Sequence, residues 1–233
     1  MSHANNNAGM KALTMEYAEQ RKVKRSFRSR LQRRTEEVLR EMNRSGAKSI
    51  RDIVDLGTAD ARMLDAVSQV YPLAHCVGVE YSHDLVEYAQ KQYPHLEIIQ
   101  GNVQFLNFPD NSFDVAIAAA VLEHAIDPFA MLAEAARILR PGGLLIITSP
   151  HPFWEFLARK CALLDDEQHC LVMRIKEIEH MMRQAGFAVI HSARFMLVGF
   201  GLPGEAFLEK ACRKLRLNFL FINQLIVGTK YDY

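Results

Sequence analysis

An α/β architecture, a doubly wound and mostly parallel seven-stranded sheet, is what this sequence predicts, and three observations predict it. Short apolar runs alternate with segments of helical periodicity from residue 50 onward. The runs are apolar nearly throughout, as in Val115-Ala116-Ile117-Ala118 and Leu144-Leu145-Ile146-Ile147, which suits strands covered on both faces. The first of them, ending Ile53-Val54-Asp55-Leu56, turns at Gly57 into a helical pattern that begins Arg62-Met63-Leu64. Strand, glycine turn and helix in that order form the unit that directs backbone N–H groups and a helix N-terminus at one point. The same unit also serves as an ordinary βα turn that binds nothing.

Composition sets the bounds. A chain of 233 residues, 49% hydrophobic and 24% charged, can bury a full core in one sizeable domain. Its formal net charge is only +1, so the protein as a whole is not a polycation. Cys76, Cys161, Cys170 and Cys212 show neither a Cys-x-x-Cys pair nor a zinc-like His spacing; reduced thiols, a cytoplasmic setting and no metal are expected. No stretch has the length and apolarity of a membrane span, and no signal-peptide pattern opens the chain.

Residues 1–10 read as a disordered lead or an expression remnant, and residues 11–45 as an N-terminal helical extension. Within it, one or two helices are predicted over 14–43, because Val23, Phe27, Leu31, Val38 and Met42 share one stripe at helical spacing. The opposite face carries Arg21, Lys22, Lys24, Arg25, Arg28, Arg30 and Arg33, followed by Glu36, Glu37 and Glu41. That gradient opposes the helix dipole, so packing must hold the segment. A basic arm for RNA, anionic lipid or an acidic partner is one reading; a solvated face on a docked helix is the favoured one, since the net charge is near zero and no aromatic residues interleave with the basic ones.

Strands are predicted at 50–56, 75–80, 96–100, 113–119 and 143–149, with helices at 59–70, 82–93 and 127–139. After a helix at 174–185 ending at Gly186, two further strands, 187–198 and 223–230, flank a helical segment at 203–216 and are expected to add an antiparallel edge. Three polar residues fall at carboxyl ends of strands, where open α/β sheets bind ligands. Glu80 closes the second strand and could accept both hydroxyl hydrogens of a ribose; Tyr81 could lie against a purine. Asn102 follows the third strand with an acceptor and a donor suited to an adenine edge.

These segments together resemble a class I S-adenosylmethionine-dependent methyltransferase of the small-molecule, quinone-biosynthesis-like type 11 group. The resemblance is carried by Val54-Asp55-Leu56-Gly57, Gly78-Val79-Glu80-Tyr81-Ser82, Gly101-Asn102-Val103 and Phe108-Pro109-Asp110-Asn111-Ser112-Phe113-Asp114-Val115. Val121-Leu122-Glu123-His124 and Arg137-Ile138-Leu139-Arg140-Pro141-Gly142-Gly143 continue it, and Gln184-Ala185-Gly186-Phe187 is a weaker echo. Two departures stand out: Gly57-Thr58-Ala59-Asp60-Ala61 keeps one glycine where the family usually has three, and Asn102 replaces the usual aspartate. An alanine is tolerable there if its φ stays negative and costly if φ must be positive.

The resemblance implies a Rossmann-like methyltransferase domain over 46–233 and S-adenosyl-L-methionine as cofactor. It implies cofactor contacts from Asp55, Gly57, Thr58, Ala59, Glu80, Tyr81, Asn102, Val103, Ala119 and Leu122, and transfer of a methyl group to a small acceptor. His124, after the fourth strand, is the leading candidate for a base, with a structural role as the alternative. His151 and His169 could contact the acceptor. Segments near 151–173 and 196–220 would cover it, including Phe195-Met196-Leu197-Val198-Gly199-Phe200, whose apolar character suits a lipophilic acceptor or plain core packing. An RNA-modifying enzyme using the basic helix and a non-catalytic relative are the alternatives. The residues lack an Asn/Asp-Pro-Pro-aromatic motif, a Pro-Cys nucleophile site, a nicotinamide-type glycine pattern, a Gly-x-Ser-x-Gly elbow and a P-loop.

Overall fold

A computed structural model describes residues 15–45, 50–160, 171–197, 199–201 and 204–232. The expected lead at 1–10, along with His169, Val198, Cys161 and Cys170, lies outside these described residues. Seven strands form one sheet in the order β3-β2-β1-β4-β5-β7-β6. They are β1 (Asp52–Leu56), β2 (His75–Glu80), β3 (Glu97–Gln100), β4 (Phe113–Ala119), β5 (Leu139–Pro150), β6 (Phe187–Phe195) and β7 (Asn223–Lys230). The first five run parallel. β7 inserts antiparallel between β5 and β6, which makes β6 the outermost strand on that side.

The helices are α1 (Met15–Val23), α2 (Arg25–Arg44), α3 (Arg62–Val70), α4 (His83–Gln92), α5 (Pro128–Ile138), α6 (Pro152–Lys160), α7 (Ile175–Gln184) and α8 (Glu205–Lys214). α6 occupies part of a stretch expected to be loop. β5 starts earlier than predicted, because Leu139 pairs with Phe113 across an irregularity before the regular register resumes at Leu144.

Alternation along the central strands explains why the sheet is covered twice. Ile53, Val115, Ile117, Leu144 and Ile146 face one apolar layer with Val38, Met42, Leu64 and Val67 of α2 and α3. Val54, Ala116, Ala118, Leu145 and Ile147 face the other, with Met131 and Leu132 of α5 and Ile178 and Met182 of α7. Burying each such Leu or Ile contributes about 1.5–3 kcal/mol, so near-continuous apolar strands are what a two-faced sheet requires.

The N-terminal helix departs from its stripe in one place. The helical run breaks at Lys24, and Val23, just before the break, is 77% exposed while Val38 and Met42 are buried. α2 starts without a side-chain cap or an acidic first turn, and its buried face holds it, as the unfavourable charge gradient demands. Several of its cations are engaged within the chain: Arg33 pairs with Glu36 and Glu209 at 2.7 Å each, Arg34 donates to Asn223 Oδ1 at 3.1 Å, and Arg25 donates to the Gly201 carbonyl.

Within the stretch 195–200, core packing accounts for two residues. Phe195 and Met196 are fully buried in the layer shared with α2, so they form core rather than an acceptor cover. Arg137 explains the run from Phe108 to Val115: its guanidinium donates to the carbonyls of Leu106 (2.8 Å) and Phe108 (2.7 Å) and to Asp110 and Glu134 (2.8 Å each). This fork fixes the loop that leads into β4.

Candidate active site

The carboxyl ends of β1 to β4 meet at the Gly57 turn. Gly57 N and Thr58 N both donate to the Val79 carbonyl, at 2.8 and 3.0 Å, which locks the turn to the end of β2. Thr58 Oγ1 donates to Asp55 Oδ2 at 2.8 Å, and both residues are buried. Ala59 N donates to Glu80 Oε2 at 2.9 Å, while Ser82 N donates to Glu80 Oε1 at 2.8 Å. Glu80 is only 4% exposed, so this carboxylate is a buried clasp between the turn and the start of α4.

Both alanines of the turn adopt left-handed backbone, with φ of 52° at Ala59 and 58° at Ala61, beside 76° at Gly57. The costly case therefore holds: the chain follows the path glycine would take and accepts a methyl group at each position. Those methyls do not face the crevice. Ala59 packs with Ala18 of α1 and Leu85 of α4, and Ala61 packs in the layer with Met42 and Leu64.

The clearance at Gly57 is used by the protein itself. A Cβ there would collide with the Val121 side chain. The missing side chain thus admits Val121, rather than only the ligand the sequence suggested. Ala120 also takes a positive φ, 57°, and the 3-10 turn Leu122–His124 follows.

The remaining expected residues divide by exposure. Val103 and Leu122 are buried, as is Glu123; Gly57, Tyr81, Asn102, Ala119 and His124 are half-buried and form the accessible part of this edge. Asn102 Oδ1 accepts from Gln104 N at 3.0 Å and Gln104 Nε2 at 3.2 Å. Gln104 Oε1 in turn accepts from Asp127 N at 2.6 Å, the N-cap residue of α5. Gln104 carried no signal in the sequence, because its role depends on two partners brought together only by the fold. Among the described residues, no three His, Cys, Asp or Glu side chains converge as metal ligands.

An open cavity of about 840 Å³ lies not at the Gly57 turn but beyond β5. His151, which follows β5, lines it with Arg174 and Lys176 at the start of α7, Arg194 near the end of β6, and aromatic rings of α6 and the 3-10 turn Asn218–Leu220. Gln224, fully buried on β7, ties this region together by donating to the carbonyls of Pro150 (3.0 Å) and Met173 (2.9 Å). Burial and the charges of Arg194 and Arg174 hold the His151 imidazole below its ordinary pKa. Of the two histidines expected near an acceptor, His151 lines this cavity.

Comparison with known proteins shows likeness in part of the sequence and in the fold. Residues 54–147 match the methyltransferase domain family model. A probable S-adenosylmethionine-dependent methyltransferase of Mycolicibacterium smegmatis is 28% identical over 139 residues, 60% of this chain and 52% of that protein. A demethylmenaquinone methyltransferase of Geobacillus kaustophilus is 32% identical over 126 residues, 52% of this chain and 53% of that protein. The chain therefore spans about half the length of these relatives. A Thermotoga maritima structure of an S-adenosylmethionine-dependent methyltransferase superposes with a TM-score of 0.67 at 22% identity, covering 93% of this chain and 95% of that one; this likeness concerns the fold. From within β1 to within β5, this chain is thus similar to a methyltransferase domain.

Proposed function

We propose that this chain is an S-adenosylmethionine-dependent methyltransferase with a small, apolar-bodied acceptor. The observation that carries the reading is the Ala59–Glu80 clasp: a buried acid at the end of β2, closed onto a left-handed turn, inside the segment that matches the methyltransferase domain. The residues suit the cofactor. The extra methyls of Ala59 and Ala61 are absorbed into the protein. The two backbone bonds at Glu80 fall one on each carboxylate oxygen and hold the group in place.

When bound, S-adenosylmethionine supplies an activated methyl group for in-line displacement by a nucleophile. Glu80 would accept ribose hydroxyl hydrogens, and Tyr81 would flank the base. Asn102, its Oδ1 engaged by Gln104, would offer its amide N–H groups to acceptor atoms of the adenine. Asp55 and Thr58 would keep the turn in place through their mutual bond. Ala119, Leu122 and Val103 would supply apolar walls that exclude water. His124 would remove a proton only for acceptors that must lose one. The demethylmenaquinone methyltransferase among the relatives supports an apolar-bodied acceptor, as do the rings of the cavity beyond β5.

Calorimetric titration with S-adenosylhomocysteine tests the reading. Micromolar-scale binding to the wild type, lost in Glu80→Ala, is expected; a wild type that binds neither this nucleoside nor S-adenosylmethionine overturns it.

A further inference from the structure

The cavity beyond β5 has a one-sided chemistry. Arg174, Lys176 and Arg194 line it, and no carboxylate does among the described residues. Among the described residues, no ion pair joins any of these three cations to a carboxylate, in contrast to Arg33, Arg137 and Arg140. His151 extends the pattern. Its Nδ1 accepts from Phe153 N at 3.3 Å, and in a neutral ring this leaves Nε2 to carry the hydrogen. The imidazole is thus set up as a donor toward the cavity rather than as a base. Every polar side chain lining the cavity donates.

The opposite component is aromatic. Phe153, Phe156 and Phe219 line the same cavity, and each is more than half exposed. Trp154 Nε1 donates to the Phe219 carbonyl at 3.0 Å, which fixes α6 against the 3-10 turn and makes these rings a braced wall. Three exposed phenylalanines side by side form an apolar surface of the kind that marks a ligand-binding groove.

We infer that the acceptor of this site is an amphiphilic anion: an aromatic or otherwise apolar body against Phe153, Phe156 and Phe219, with a carboxylate- or phosphate-class group held by Arg174, Lys176 and Arg194. This rests on the proposed transferase reading and narrows it. The cations fix orientation and select charge, while the rings supply apolar contact.

Calorimetry of the full chain with 1-naphthoate and with 1-naphthamide, each in the presence and absence of S-adenosylhomocysteine, tests it. Naphthoate is expected to bind about tenfold more tightly than the isosteric neutral amide, through charge-assisted hydrogen bonds. The doubly substituted Arg174→Gln/Lys176→Gln chain, altered only at exposed positions, should lose that advantage while keeping its affinity for naphthamide. Arg194→Lys should retain most of it. Equal affinities for the two probes, no saturable binding of naphthoate, or an advantage that survives the double substitution would each overturn the inference. S-adenosylhomocysteine binding without a charge preference sinks the anionic acceptor alone. A charge preference without nucleoside binding sinks the transferase reading alone.

Discussion

The backbone N–H of Ala59 donates to Oε2 of Glu80 at 2.9 Å, so the residue proposed to hold the sugar of the cofactor also closes the turn beside it. Removing the carboxylate should therefore do two things at once. In Glu80→Ala the buried N–H groups of Ala59 and Ser82 lose their acceptor, at a cost of about 1–3 kcal/mol. Urea unfolding should register that loss, and calorimetry should show no nucleoside binding. Unchanged stability would mean that the clasp does not hold the turn.

Ala59 and Ala61 give a second expectation. Left-handed backbone costs a non-glycine residue about 1–2 kcal/mol, whereas glycine adds about 0.4–1 kcal/mol of unfolded-state entropy. Each Ala→Gly change should then stabilise the fold by about 0.5–1 kcal/mol, less whatever packing the lost methyl contributed. Ala59→Gly, whose methyl touches Ala18 and Leu85, should gain less than a φ argument alone gives. Strong destabilisation at both positions would contradict the left-handed assignment.

Gly57→Ala should be strongly destabilising. It places a side chain at φ 76° and drives Cβ into Val121. Overpacking of this kind costs about 1–3 kcal/mol, with the backbone penalty added. Val121→Ala should restore part of the loss in the double variant, which a double-mutant cycle measures. Strict additivity would show that the two residues do not press on each other.

Acid should weaken the fold through Asp114. Burial would raise its pKa, but the N–H groups of Arg51 (2.7 Å) and Asp52 (3.0 Å) and the Arg140 guanidinium (2.7 Å) outweigh it and hold the carboxyl below its usual value. A carboxyl lowered in the folded state stabilises above its unfolded pKa, roughly 4 for an aspartate. That contribution fades as pH falls through the folded value. The stability difference between wild type and Asp114→Asn should be full at pH 6 and shrink toward pH 3. A difference independent of pH would exclude the linkage.

Cys76 should be chemically silent. Burial, with the Asp55 charge adding to it, pushes its thiol up to about 11. The native protein at pH 8 should give the same number of fast-reacting thiols with a disulfide reagent whether or not Cys76 is replaced by Ser. A fast-reacting thiol lost on that replacement would show that β2 opens.

Much of this architecture was legible because strands buried on both faces are largely apolar, as Val115-Ala116-Ile117-Ala118 of β4 and Leu144-Leu145-Ile146-Ile147 of β5 are. The edge of β5 was not, because Arg140-Pro141-Gly142-Gly143 reads as a turn, while the ladder to Phe113 is made by its neighbour Leu139. Val23 fitted a helical stripe but sits where the helix breaks at Lys24, a break with no strong local signal. At the site, the residue types at the strand ends could be read directly. The left-handed alanines could not, since their turn is held by bonds from Gly57, Thr58 and Ala59 to Val79 and Glu80 of another strand. The cationic cavity was equally hidden: Arg174, Arg194 and Phe219 are far apart in the chain and meet only when β6 and β7 join the sheet.

The insertion of β7 between β5 and β6 also dictates an order of assembly during synthesis. The five parallel strands can pair as they leave the ribosome, yet β5 keeps a bare row of amides along one side until residues 223–230 emerge. β6 is made earlier and cannot shield it, because its own partner is that same late strand. A nascent chain stalled between residues 150 and 220 therefore carries an adhesive apolar edge, and this interval is where chaperone engagement should concentrate.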